Sequence, residues 1–271
     1  MKKAFALAAA FALAFSLAGC GGASSAGSGA ASASASQAET GGEPVELTVF
    51  AAASLTETLN QIAEDYKTVA PNVTLTFNFD SSGTLKTQIQ EGAVCDVFLS
   101  AGQKQMDQLD KTADASVNTE GLDFVAEGSD AAIASFDDLA GALEGSDILM
   151  AMGNSDVPAG QYTQQILACY GLNEEELANA GKITYGSNVK EVTTQITEGS
   201  VDCGVVYCTD AYSAGITPVD YATEEMCGQV IYPAAVLNVS QHSEEAQAFL
   251  DYLQTDAAMQ VFEEVGFSPV I

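Results

Sequence analysis

The chain has 271 residues, a formal net charge of −29 and no arginine. Such an acidic chain is a poor partner for nucleic acid, because binding a phosphate backbone requires a basic surface. It is equally unsuited to adsorb on anionic lipid. A single histidine and the lack of any Cys-x-x-Cys pair argue against a zinc site. We therefore expect no cofactor and no bare metal ion.

The first residues predict export rather than a folded element. Lys2 and Lys3 precede an apolar run at 4–17 that is too short to span a membrane, and small residues lead to Cys20. Residues 1–19 are thus a predicted signal peptide, and its removal lowers the net charge to about −31. Leu17-Ala18-Gly19-Cys20 resembles a bacterial lipobox, which implies lipid on Cys20. Ordinary secretion with an incidental Cys20 is the alternative.

Residues 20–44 consist mainly of Gly, Ser and Ala and predict a flexible, lipidated linker. The remaining 45–271 is long enough for one large domain or two lobes. We place lobe 1 at about 45–124 plus 229–271 and lobe 2 at about 125–228. Five cysteines follow Cys20, so at least one has no partner within the chain, and their pairing stays open. They are Cys95, Cys169, Cys203, Cys208 and Cys227.

Hydrophobic periodicity predicts alternating strands and helices. In chain order the predicted elements are strand 45–52, helix 55–68, strand 73–79, helix 85–92, strand 94–101, helix 106–109, strands 122–126 and 148–152, helix 159–170, strand 183–185, helix 189–197, strands 201–207 and 230–239, and helices 243–254 and 256–265. Three cysteines in apolar runs, Cys95, Cys203 and Cys208, are expected to be buried. The alternation predicts an α/β fold whose mainly parallel sheets are flanked by helices.

Several predicted helices begin in a way that suits an anion. Ser54 and Asn188 each stand three residues before a glutamate, the spacing of a capping box, and Ser82 opens a third helix. Pro158 fits the first turn of a fourth. Backbone N–H groups and the helix dipole can hold an anion at such positions. The alternative for each residue alone is simple helix capping.

Five sequence blocks resemble the periplasmic molybdate-binding proteins of ABC importers. They are VFAAASLTETL at 49–59, SSGTLKTQIQEGAVCDVFLSA at 81–101, VPAGQY at 157–162, NVKEV at 188–192 and GVVYCTDA at 204–211. The resemblance implies a two-lobed periplasmic-binding-protein fold of type II that closes on a tetrahedral oxyanion, molybdate or tungstate. It assigns hydroxyl contacts to Ser54, Ser82 and Tyr207, and backbone donors to Ala159 and Val189.

The chemistry of these residues is consistent with that ligand. A deprotonated oxyanion has only acceptors, so a suitable site offers only donors. Three positions depart from the family pattern: Cys95, Cys208 and Asp80. Asp80 is expected to point to solvent, because a carboxylate beside the serines would repel the anion.

The resemblance also implies an extracytoplasmic receptor that is anchored by lipid to a bacterial membrane. Its partners would be a membrane permease and a cytoplasmic ATPase, and we expect a monomer without catalytic activity. One alternative is an exported hydrolase, although the chain lacks G-x-S-x-G and His242 stands in a polar helix start. The others are a receptor for sulfate, phosphate or an organic anion, and a scaffolding lipoprotein.

Overall fold

The computed structural model describes residues 42–109, 115–119, 122–125 and 133–268. The predicted signal peptide, Cys20 and nearly all of the predicted linker lie outside these residues. The strands are β1 Val45–Ala52, β2 Val73–Asp80, β3 Val97–Leu99, β4 Ala115–Thr119, β5 Leu122–Val125, β6 Met150–Gly153, β7 Ile183–Gly186, β8 Cys203–Tyr207, β9 Asp220–Tyr221, β10 Ile231–Val236 and β11 Phe267–Ser268.

The helices alternate with these strands along the chain. They are α1 Thr56–Val69, α2 Ser82–Gln90, α3 Gln103–Asp107, α4 Phe136–Gly145, α5 Pro158–Cys169, α6 Glu174–Asn179, α7 Val189–Thr197, α8 Cys208–Ala214, α9 Glu224–Cys227, α10 Ser243–Leu253 and α11 Asp256–Glu264. A short 3₁₀ turn, Ala53–Leu55, precedes α1. Among the described residues, no helix is both long enough and apolar enough to cross a membrane.

A six-stranded sheet has the order β11-β4-β10-β3-β1-β2. β1 pairs in parallel with β2 and β3, whereas β10 runs antiparallel beside β3. The carboxyl ends of β1, β2 and β3 therefore meet at one edge, and the amino end of β10 joins them there. This edge carries the turns that lead into α1 and α2.

A five-stranded sheet has the order β7-β6-β8-β5-β9. β6 pairs in parallel with β7 and β8, and β5 pairs antiparallel with β8 and with the edge strand β9. The helices α5, α7 and α8 each follow one of the three parallel strands. As in other open α/β sheets, the carboxyl ends of the parallel strands are where a ligand would lie.

Every predicted strand and helix is present, with ends shifted by a few residues. The predicted strand at 94–101 shortens to β3, and the helix at 85–92 begins earlier, at Ser82. Periodicity missed the helices α4, α6, α8 and α9 and the strands β4, β9 and β11. All of these except α4 are seven residues or shorter.

The cysteines also differ in part from expectation. Cys95 and Cys203 are buried, as predicted, whereas Cys208 is only half-buried because it begins α8 instead of ending a strand. No disulfide joins two cysteines of the described part of the chain.

Candidate functional site

Turns from both sheets enclose a small cleft of about 10 Å³, close to the space of one water molecule. Ser54 and Ser82 contribute from the six-stranded sheet, and Val189 and Tyr207 from the five-stranded one. Four of the five residues predicted to bind the anion thus share one wall. The remaining wall residues are Ala52, Ala53, Asp80, Ser81, Ala101, Val157 and Pro158.

The amino end of α2 presents Ser82 with its hydroxyl already oriented. Ser81 is the helix cap and accepts a hydrogen bond from the Thr84 N–H at 3.1 Å. Ser82 Oγ instead accepts from the Ala101 N–H at 2.9 Å. A backbone N–H can only donate, so the Ser82 hydroxyl hydrogen is available for another acceptor. Because the first intrahelical bond runs from Leu85 N–H to the Ser81 carbonyl, the helix ladder does not use the Ser82 N–H.

Ser54 lies in the 3₁₀ turn and is 2% exposed. The predicted capping box at Ser54 is wrong, since the added turn makes Leu55 the N-cap of α1 and leaves that helix without a side-chain cap. The Ser54 hydroxyl instead lies 2.8 Å from the hydroxyl of Tyr232. Sequence reasoning missed this tyrosine, which is 178 residues away and belongs to the apolar run of β10.

The amino ends of α5 and α7 face the cleft from the five-stranded sheet. Pro158 begins α5 and lines the cleft. Ala159, the fifth residue predicted to bind the anion, comes next; it is fully buried and does not line the cleft. The predicted cap at Asn188 is confirmed, because its side chain accepts from the Glu191 N–H at 3.1 Å. Val189 is therefore the first residue of α7, where its N–H precedes the helix ladder.

Tyr207 ends β8 and is 1% exposed. Its hydroxyl donates to the Ala101 carbonyl at 3.4 Å, and its ring meets that of Tyr232 edge-on at 5.5 Å. Burial raises the pKa of both phenols well above the ordinary value of 10.0. Both phenols therefore stay protonated at neutral pH. The Tyr207 hydroxyl would have to turn away from the Ala101 carbonyl to donate to a ligand.

Asp80 does not point to open solvent as expected. It is half-buried and lines the cleft, where its Oδ1 accepts from the Ser81 N–H at 2.7 Å. The Asn188 side-chain amide donates to the same oxygen at 3.4 Å. These two donors hold the carboxylate between α2 and α7. The cleft therefore does not offer hydrogen-bond donors only, as the sequence predicted, because the Asp80 carboxylate adds acceptors and a negative charge.

A buried ion pair stands next to the cleft. Asp210 on α8 is fully buried, and its Oδ1 lies 3.3 Å from Lys190 Nζ. Burial raises the pKa of Asp210 to about 6, because the lowering effect of Lys190 does not fully offset the loss of water. Burial alone would lower the pKa of Lys190, but Asp210 and Glu57 raise it. The Lys190 ammonium group thus pairs with the carboxylates of Asp210 and Glu57. No cationic side chain lines the described cleft wall.

His242, the candidate base of the hydrolase alternative, lies at another cavity. That cavity measures about 840 Å³ and is lined by apolar side chains together with the carboxylates of Glu46 and Asp96. Within the described residues, His242 does not line the cleft that holds Ser54 and Ser82. The serine hydroxyls therefore have no histidine beside them on that wall, and nothing in this geometry favours nucleophilic catalysis.

Comparison with known proteins agrees with this architecture. Residues 47–268 match the family model described as bacterial extracellular solute-binding protein. The chain belongs to this family. Its relatives include a candidate ABC transporter substrate-binding lipoprotein of Bacillus subtilis, YvgL, which is 35% identical over 86% of this chain and 90% of its own. The molybdate-binding protein ModA of Haemophilus influenzae is 32% identical, over 82% of this chain and 90% of its own.

A solved structure of the family shows the same fold. It is the substrate-binding domain of a candidate molybdenum ABC transporter of Clostridium difficile, with 34% identity and a TM-score of 0.62 over 84% of this chain and all of that one. The predicted periplasmic-binding-protein fold is confirmed. The assignment of individual ligand contacts stays a prediction that the shared cleft supports.

Proposed function

We propose that the protein captures molybdate, and tungstate with it, outside the cytoplasm and delivers it to an ABC importer. The observation that carries this proposal is the convergence of Ser54, Ser82, Val189 and Tyr207 on one cleft. ModA of Haemophilus influenzae, which is named for molybdate binding, supports the choice of ligand. The two lobes would follow the two sheets and close over the anion.

The anion would be held by neutral donors. The hydroxyls of Ser54, Ser82 and Tyr207 and the N–H groups of Ala159 and Val189 are the proposed contacts. Helix dipoles at α2, α5 and α7 supply positive potential without a counter-charge. Because no buried ion pair with the ligand has to be broken, such a site can bind the anion and still release it to a permease. No catalytic step is part of this role.

Lipid on Cys20 would tether the receptor, with the linker at 20–44 as a spacer. The name of the Bacillus subtilis relative, a lipoprotein, supports this anchoring. We expect a monomer that meets a membrane permease driven by a cytoplasmic ATPase. Replacement Cys20→Ser should move the protein from the membrane fraction to the soluble fraction of its host. Retention in the membrane fraction of a Cys20→Ser chain from which residues 1–19 have been removed would exclude lipid on Cys20 as the anchor.

A thermal-shift series on the purified chain tests the ligand. Molybdate or tungstate at a hundred times its dissociation constant should stabilise the fold by about 2.7 kcal/mol, which corresponds to a rise in Tm of about 5–10 °C. Sulfate and phosphate at the same concentration should give smaller shifts. No shift with molybdate or tungstate, or a larger shift with sulfate, would contradict the proposal.

Matched serine variants connect that shift to the cleft. The double variant Ser54→Ala, Ser82→Ala should remain folded and lose the shift. The control variant Ser200→Ala, Ser213→Ala changes two exposed serines and should keep it. An unchanged shift in the first variant would show that the anion binds elsewhere.

A further inference from the structure

The two site serines share a feature that the ligand contacts alone do not explain: each hydroxyl oxygen has a fixed partner behind it. Ser82 Oγ receives the Ala101 N–H, and Ser54 Oγ faces the Tyr232 hydroxyl at 2.8 Å. A hydroxyl carries one hydrogen, so its partner decides whether that hydrogen can reach a ligand. Because the Ala101 N–H can only donate, the Ser82 hydroxyl hydrogen is free to point at the ligand. Whether the Ser54 hydroxyl hydrogen is free depends on the direction of its bond to Tyr232.

We propose that Tyr232 is a positioning residue that donates to Ser54 Oγ and thereby makes Ser54 a donor toward the bound anion. In this role Tyr232 does not touch the ligand. It selects against oxyanions that carry a proton, because both serine hydroxyls then donate and neither offers an acceptor to a ligand O–H. This inference rests on the proposed function and adds a basis for its selectivity.

The distance alone fits either direction, and the chemistry of the two hydroxyls favours Tyr232 as the donor. A phenol is a stronger donor and a weaker acceptor than an aliphatic alcohol. A buried hydroxyl also has to place its hydrogen on an acceptor, and Ser54 Oγ is within hydrogen-bond distance. Full burial raises the pKa of Tyr232, so the phenol does not lose its hydrogen at neutral pH.

Strand pairing and ring contacts position Tyr232. β10 pairs with β3 so that Ala234 lies opposite Leu99, and the Ser100 N–H donates to the Pro233 carbonyl at 2.9 Å. The ring of Tyr232 packs edge-on against Tyr207 and against Phe267, with centroids 5.5 and 5.1 Å away. Replacement by phenylalanine would keep these ring contacts and remove only the hydroxyl.

The test compares Tyr232→Phe with the wild type by calorimetric titration with molybdate and by competition with sulfate and hydrogen phosphate at pH 8. Sulfate and hydrogen phosphate are similar in size and charge but differ by one proton. In Tyr232→Phe the freed Ser54 oxygen can accept that proton. We expect the molybdate dissociation constant to rise about tenfold and phosphate to gain at least fivefold relative to sulfate. The comparison is made between variants because Asp80 offers an acceptor on the wall in all of them.

Two further variants separate positioning from a general effect of losing a buried hydroxyl. Tyr66→Phe changes a buried tyrosine that packs on Phe249 and Tyr252, and should alter none of the affinities. The double variant Ser54→Ala, Tyr232→Phe should bind molybdate no more weakly than Ser54→Ala, because Tyr232 acts only through that serine.

Each result decides between these possibilities. Unchanged molybdate affinity in Tyr232→Phe overturns the proposal, and so does a loss of molybdate affinity without a gain for phosphate over sulfate. Additive losses in the double variant would show that Tyr232 acts independently of Ser54. If the wild type binds no molybdate or tungstate, the proposed function itself fails, and that outcome is visible before any variant is made.

Discussion

Lys190 joins the helices of the two sheets: its Nζ lies 2.7 Å from Glu57 Oε2 on α1 and 3.3 Å from Asp210 Oδ1 on α8. Glu57 follows the turn that carries Ser54, and Lys190 follows Val189 directly. One lysine therefore ties together the two segments that would hold the anion from opposite sides. Lys190 also supplies the counter-charge for the fully buried carboxylate of Asp210.

Replacing this lysine should weaken the fold more than replacing an exposed one. In Lys190→Met, Asp210 becomes a buried charge without a counter-ion, and we expect a loss of about 1–3 kcal/mol in unfolding free energy at pH 7. Urea denaturation measures it. The control Lys67→Met removes an exposed pair with Glu64 and should cost less than about 1 kcal/mol. Equal effects of the two variants would contradict the role given to Lys190.

Asp210 should make stability fall as the pH rises. Its pKa is raised from 3.8 to about 6 in the folded protein, so between these values the folded state holds a proton that the unfolded chain has released. Its contribution to stability is therefore full below about pH 4 and is lost as the pH rises through about 6, a change of about 3 kcal/mol.

The variant Asp210→Asn isolates this contribution from the other carboxylates. Between pH 4.5 and 7.5 its unfolding free energy should gain about 2 kcal/mol relative to wild type. Asp65→Asn, at an exposed position on α1, should follow the wild type at both pH values. A constant difference between Asp210→Asn and wild type would show that Asp210 titrates normally.

Asp80 should lower the affinity for a divalent anion, because its carboxylate lines the same cleft. Asp80→Asn keeps an oxygen for the Ser81 N–H and removes the charge. We expect the molybdate dissociation constant to fall about three- to tenfold at low salt, with a smaller gain at high salt. Asp65→Asn, which removes a charge far along α1, again serves as control. A weaker affinity in Asp80→Asn would instead mean that the carboxylate organises the cleft through Ser81 and Asn188.

Much of this arrangement follows from local sequence patterns. Apolar runs identified β1 and β8, and turn chemistry identified the starts of α2, α5 and α7. Since parallel strands present their carboxyl ends at one edge, these local features already predict a cleft at the helix starts that contains Ser82. Only the family resemblance added Tyr207 to it. Short-range rules were sufficient because each of these features depends on residues only a few positions apart.

The remaining features depend on contacts that no local pattern encodes. The Ser54–Tyr232 bond requires the antiparallel register of β10 beside β3, and the Lys190–Glu57 pair spans 133 residues. Asp80 lies in the cleft because donors from two helices hold it there, one of them from Asn188, 108 residues away. A single 3₁₀ turn was enough to change Ser54 from a predicted cap into a partner of Tyr232.

Gly83 should be essential for closing the cleft. A β-carbon added at this position would lie 2.1 Å from the Asp156 carbonyl oxygen, which belongs to the turn before α5. Backbone on both sides of this contact leaves no flexible side chain to move away. In Gly83→Ala the amino ends of α2 and α5 therefore have to separate, and we expect the molybdate affinity to fall more than about tenfold.

Calorimetric titration measures this loss, and thermal unfolding without ligand distinguishes it from misfolding. Gly141→Ala is the matched control, because it lies on the exposed face of α4 with no atom near an added β-carbon. That control should stabilise the fold by up to about 1 kcal/mol and leave binding unchanged. If Gly83→Ala bound molybdate as tightly as the control, the approach of α2 to Asp156 would not be part of the closed, ligand-binding state.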